Sequence, residues 1–129
     1  MSENDVLSAK EWIEKAPEDL KMAEYLLKGK FFNGVCFHSQ QALEKILKAF
    51  LIFHKITPKK VHTLVFLLKE CSRVDSSLVE FMPEIKRMDR FYIAARYPQT
   101  KEFNNAEAQE SFRVSGELFA KIKERFQGI

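Results

Sequence analysis

The chain has 129 residues, 46% of them hydrophobic and 30% charged, with a formal net charge of +3. That is material for one packed domain and too little for two. No apolar run approaches the roughly 20 residues that span a bilayer, and so mild a basic excess permits a polyanion partner without implying one.

Gly and Pro number four each, so turns are few and helices are favoured over strands. The start, "MSENDVLSAKEW", lacks a basic stretch followed by an apolar one, which predicts no secretion signal and a cytoplasmic protein. Ser8 and Glu11 have the spacing of a capping box and place the start of a first helix at Ser8. Trp12, Ala16, Leu20, Ala23 and Leu27 then form one apolar face. Pro17 inside that face predicts a kink or a break, and Gly29 a stop.

A second helix is expected from Phe32 to His54, apolar on most sides and hence central. "KITPKK" follows as an exposed loop. "VHTLVFLLKECS" reads as a short helix with Leu64, Leu67 and Leu68 inward. In "DSSLVEFMPEIKRMDRFY" a second capping-box spacing, Ser77 to Glu80, precedes an inward side made of Val79, Met82, Ile85 and Met88 or Asp89. Pro83 fits a helix only near its first turn. "IAARYPQTKEF" shows no period and reads as an irregular loop, because Pro98 biases Tyr97 away from helix. A last helix starts at Asn104, with Glu107 three residues on and Phe112, Ser115, Phe119, Ile122 and Phe126 as its inner stripe. The expectation is a single all-α domain over residues 1–129, an up-and-down bundle of about five helices, three of them long. Cys36 and Cys71 sit in apolar helical patterns and are expected as buried free thiols; neither belongs to a metal-type pair.

The second helix carries an oddity. His38, Gln41, Lys45 and Lys48 recur at steps of three, four and three residues, which keeps them in one strip. Glu44 lies beside the strip and can pair with Lys48. On a central helix such a strip has three readings. It satisfies the backbone of an irregular loop, with the lysines reaching out to water. It lines a ligand groove, lysines suiting phosphate and glutamine a base edge or sugar hydroxyl. Or it forms a subunit seam.

"FHSQQALEKILKAFL" resembles the signature of HEPN domains, the "higher eukaryotes and prokaryotes nucleotide-binding" family. "WIEKAPEDLKMAEYLL" is similar to the family's first helix, "VHTLVFLL" to its His-x-Leu segment and "YIAARYP" to its Tyr-Ile…Arg-Tyr-Pro loop, in the family's order. The resemblance implies a helical bundle, often a homodimer, frequently paired with a small nucleotidyltransferase, sometimes as a toxin–antitoxin couple, and connected with a nucleotide or RNA. HEPN ribonucleases carry an Arg about four to six residues before a His. Here the histidines are His38, His54 and His62 and the first arginine is Arg73, so that motif is absent in every register.

These observations predict a non-catalytic, dimeric binding module, more binding protein than enzyme. Its candidate nucleotide- or partner-binding residues are His38, Gln41, Lys45, Lys48, Arg96 and Tyr97. Arg96 would clamp a phosphate or carboxylate and Tyr97 stack on a base, or the Arg-Tyr-Pro segment would simply close the bundle end. Strip and loop are expected to meet, Gln41 and Lys45 holding Arg96 and Tyr97. No histidine shows a fixed partner in the sequence. The rival readings are an RNA-cleaving toxin using His38 or His62 with Lys45 or Arg96, and a structural adaptor. No catalytic residue, metal site, cofactor or membrane contact is assigned; scattered carboxylates and the lack of a Glu-x-x-His pair disfavour a di-iron bundle. The run Lys55, Lys59 and Lys60 reads as a solvated loop, with phosphate-backbone contact as the alternative.

Overall fold

A computed structural model describes the backbone of residues 3–58, 63–95 and 102–126, and the side chains of 8–58, 63–90 and 102–126. Five α-helices carry the fold: α1 (Glu3–Lys28), α2 (Phe32–Phe53), α3 (Leu64–Val74), α4 (Met82–Ala95) and α5 (Asn105–Lys123). Single 3₁₀ segments, Ser76–Phe81 and Glu124–Phe126, precede α4 and follow α5. The protein is an all-α helical bundle, as its periodicity predicts, and no strand occurs among the described residues.

α2 is the central element and packs on α1, α3, α4 and α5. Its apolar surround buries Leu43, Ile46, Leu47, Phe50 and Leu51 in the main core with Leu67, Leu68, Ile85, Leu118 and Ile122. A smaller core at the α1–α2 turn joins Ala23, Val35 and Cys36 to Phe103 and Ala108. α2 and α5 approach closely because small residues face each other. Ser115 Oγ lies 3.0 Å from the Ser39 carbonyl and 2.8 Å from that of Ser111, so a hydroxyl is satisfied in the seam. Both cysteines are free and buried, and burial raises the Cys71 thiol above its ordinary range.

Several local expectations are corrected. α1 is already helical from Glu3, so Ser8 does not cap it, and it continues through Pro17 without a break. The Ser77–Glu80 box is replaced by Asp75, whose side chain accepts from the Ser77 N–H and hydroxyl. Asp75 starts the 3₁₀ turn, which turns Leu78 and Phe81 inward and leaves Val79 54% exposed rather than on the inner side. α4 then begins at Met82, which puts Pro83 in its first turn, where a missing N–H costs nothing. The helix runs to Ala95, so Ile93–Ala95 are helical and not loop. The Asn104–Glu107 capping box is formed in both directions. The inner stripe of α5 is shifted: Val114 and Leu118 are buried, while Phe112 and Phe119 are half-buried.

α1 ends in a paired turn: Phe31 N–H donates to Leu26 O and Lys30 N–H to Leu27 O. The left-handed position falls on Lys30 (φ 63°), not on Gly29. This turn folds α2 back along α1. Gly34 then faces Leu26 so closely that an added Cβ would stand 2.8 Å from Leu26 Cδ1, so a larger residue there would require the leucine tip to shift.

Candidate functional site

The antiparallel pairing of α1 and α2 decides where the polar strip goes. Leu26 meets Gly34 at one end and Trp12 meets Lys48 at the other, so the middle of α1 lies over residues 38–45. That middle is Asp19, only 7% exposed. It shares the face of Trp12, Ala16 and Ala23, and helical geometry therefore carries a carboxylate into an apolar seam, where it needs partners.

α2 supplies them. His38 Nδ1 donates to Asp19 Oδ1 at 3.1 Å, and Lys45 Nζ donates to Asp19 Oδ2 at 2.5 Å. One turn further, Lys48 Nζ donates to Glu44 Oε1 at 2.7 Å and lies 5.6 Å from the centre of the Trp12 ring, a cation–π distance. The strip is thus a lock on α1, and three of its four members are committed. The side chains of His38, Lys45 and Lys48 keep 18%, 27% and 19% of their surface exposed, so the lock sits at the edge of the seam rather than deep within it.

Two of its groups stay open. His38 is held through Nδ1, and its Nε2 has no partner among the described residues and is not enclosed. Gln41, half-buried between His38 and Lys45, has a carboxamide with no hydrogen-bond partner among the described residues. Its neighbour Gln40 is the buried glutamine, 5% exposed. Phe37 stands half-exposed beside His38, ring centres 5.1 Å apart and edge-on.

The structure therefore brings together His38, Gln41, Lys45 and Lys48. Arg96 and Tyr97 lie outside the described residues, as do Lys59, Lys60 and His62, and with them the expected meeting of strip and loop. The expectation that no histidine has a fixed partner is corrected for His38 by Asp19. The sequence did carry that signal: Asp19 interrupts the apolar steps of α1. His54 differs. It caps α2, packs on the Phe50 and Phe53 rings, and has a buried Nε2 without a partner among the described residues. Burial first, and the Arg125 guanidinium second, hold its imidazole below the ordinary histidine value. Among the described residues no group of three His, Cys, Asp or Glu side chains could hold a metal ion, and no helix is long and apolar enough to cross a membrane.

Comparison with known proteins fits this arrangement. The chain is 26% identical, over 90% of its length and 86% of the other's, to the protein named "Putative toxin MJ1304" from Methanocaldococcus jannaschii. The crystal structure of ST0689, described as an archaeal HEPN homologue, superposes with a TM-score of 0.74 at 25% identity, covering 92% of this chain and 98% of that one. TT1696 from Thermus thermophilus superposes at 0.79 with 24% identity, covering 91% and 97%, and shows the same fold. The family model of the HEPN domain matches residues 9–125. That span takes in both partners of the α1–α2 lock and nearly all of the bundle around them, and the chain belongs to the HEPN domain family.

Proposed function

We propose that this chain is a non-catalytic HEPN binding module that works as a dimer, with a nucleotide, a small nucleotidyltransferase partner, or both as its ligand. The observation that carries the reading is the internal pairing of the strip. Asp19 and Glu44 occupy Lys45 and Lys48, His38 is fixed, and the sequence lacks an Arg ahead of any His. A cluster so closed is built to hold a surface in shape, and what it presents outward is suited to recognition. His38, Gln41, Lys45 and Lys48 form the described part of that surface, with Arg96 and Tyr97 proposed to join it. Exposed Met22 and Tyr25 on α1 and Phe37 on α2 add apolar area of the kind protein contacts use.

The test combines three measurements on the purified protein: its mass in solution, thermal shifts with ribonucleotides, and co-purification with a nucleotidyltransferase encoded beside it. A dimer that gains stability with a nucleotide or retains that partner, and does not cleave RNA, supports the reading. A monomer with no partner and flat thermal shifts contradicts it.

One observation favours a second reading, an RNA-cleaving toxin. A carboxylate on Nδ1 fixes an imidazole in the manner of a general base, with Nε2 free to take a proton, and the Methanocaldococcus jannaschii relative is named as a putative toxin. Growth arrest on expression, relieved by His38→Ala in a protein that still folds, would select this reading over the first.

A further inference from the structure

The open part of the α2 strip is uncharged. Lys45 gives its ammonium to Asp19 and Lys48 gives its own to Glu44, so neither lysine stands ready for an anion. For Lys45 to turn to a phosphate it would have to abandon a carboxylate that is 7% exposed, and a buried charge without its counter-ion is strongly disfavoured. What remains available is Nε2 of His38, the carboxamide of Gln41 and the half-exposed ring of Phe37. Phe37 and Gln41 are four residues apart and His38 and Gln41 three, so the three side chains share one patch of the helix surface.

That trio has the chemistry of a flat heterocycle's counterpart. An aromatic ring offers a stacking face that tolerates any base. A carboxamide offers a donor and an acceptor side by side, the pattern of a base edge. With Nδ1–H held by Asp19, the uncharged form of His38 presents Nε2 as an acceptor, which suits an exocyclic amine or a ring N–H. We infer that this patch recognises the base of a nucleotide rather than its phosphate, and that Asp19 is the positioning residue that keeps His38 Nε2 turned outward. The inference rests on the nucleotide reading above and narrows it.

The experiment is an NMR titration of the full ¹⁵N-labelled chain with the four ribonucleosides and, separately, their 5′-monophosphates, at about 50 and about 300 mM salt, the range over which phosphate contacts lose affinity steeply. The expected result is that at least one nucleoside moves the Phe37, His38 and Gln41 signals, with a Kd within about threefold of its monophosphate at both salts. Gln41→Ala should weaken it about tenfold with little change in melting, since that side chain has no hydrogen-bond partner among the described residues. Asp19→Ala should weaken it and also shift the ¹⁵N signature of the His38 ring toward the Nε2–H form, which a merely structural role would not require. Monophosphates binding at the strip where nucleosides do not, or affinity collapsing with salt, would overturn base selection and leave the nucleotide reading standing. Binding of neither class would remove both.

Discussion

Asp19 and Asp89 are equally buried, each 7% exposed, and each uses both carboxylate oxygens, yet they do different work. Asp89, on α4, accepts from the backbone N–H groups of Leu64 at 2.8 Å and Val65 at 2.7 Å, the first turn of α3. It is a cap supplied from another helix, satisfying donors that Thr63, which reaches only the Phe66 N–H, leaves open. Burial pushes its carboxyl above the ordinary range, against the downward pull of those two donors. Asp19 instead accepts from side chains, and one of them, His38, has a second nitrogen that reaches the surface. A carboxylate that holds backbone stabilises; a carboxylate that holds a titratable side chain also sets what that side chain offers outside.

The contrast can be broken from either end. Asp89→Ala strands two amides at the start of α3 and should cost about 2–3 kcal/mol in denaturant unfolding, the largest effect expected here. Asp19→Ala should cost less, about 1–2 kcal/mol, because His38 and Lys45 are partly exposed and can turn to water. Equal losses at the two sites would mean that Asp19 is as purely structural as Asp89.

A third carboxylate sharpens the comparison from the surface. Hydrogen bonds from Ser77 first, and from Arg125 next, hold Asp75 at about 2, below its ordinary value of 3.8. A lowered folded-state value means that the stabilisation is complete above the ordinary carboxylate range and is lost as pH falls toward 2. Asp75→Asn keeps an oxygen to cap the turn but removes the charge that Arg125 pairs with, so it should lose about 0.5–1 kcal/mol at neutral pH, as a solvent-screened pair does, and flatten the stability profile in that acid window. A comparably small effect concerns the turn that aligns α1 with α2. Lys30 occupies a left-handed conformation at φ 63°, and Lys30→Gly should stabilise the chain by about 0.5–1 kcal/mol in thermal unfolding.

The sequence was most legible where periodicity does the work. α2 is central because it is apolar on most sides, and the bundle followed from that. Asn104 and Glu107 announced α5 because a capping box is a local device. The start of α1 and the inner stripe of α5 were misread for opposite reasons. Helix can extend upstream of a plausible cap, and Val114 and Leu118 compete with larger phenylalanines for the same core. Half of the strip's answer was also visible, since Asp19 breaks the apolar steps of α1. Its register against α2 was not, because that depends on the turn at Lys30 and the close approach at Gly34. Asp89 was out of reach for a deeper reason: its partners are backbone amides, which every sequence has and none displays.

The outward chemistry of the strip depends on Asp19 holding His38 through Nδ1. The most direct measurement is the ¹⁵N spectrum of the His38 ring in the intact protein, above the pH at which it is protonated. The predicted result is a proton on Nδ1 and a bare Nε2, reversed or averaged in Asp19→Ala. A ring that carries its proton on Nε2 in the wild-type chain, or that is unaffected by the substitution, would contradict it.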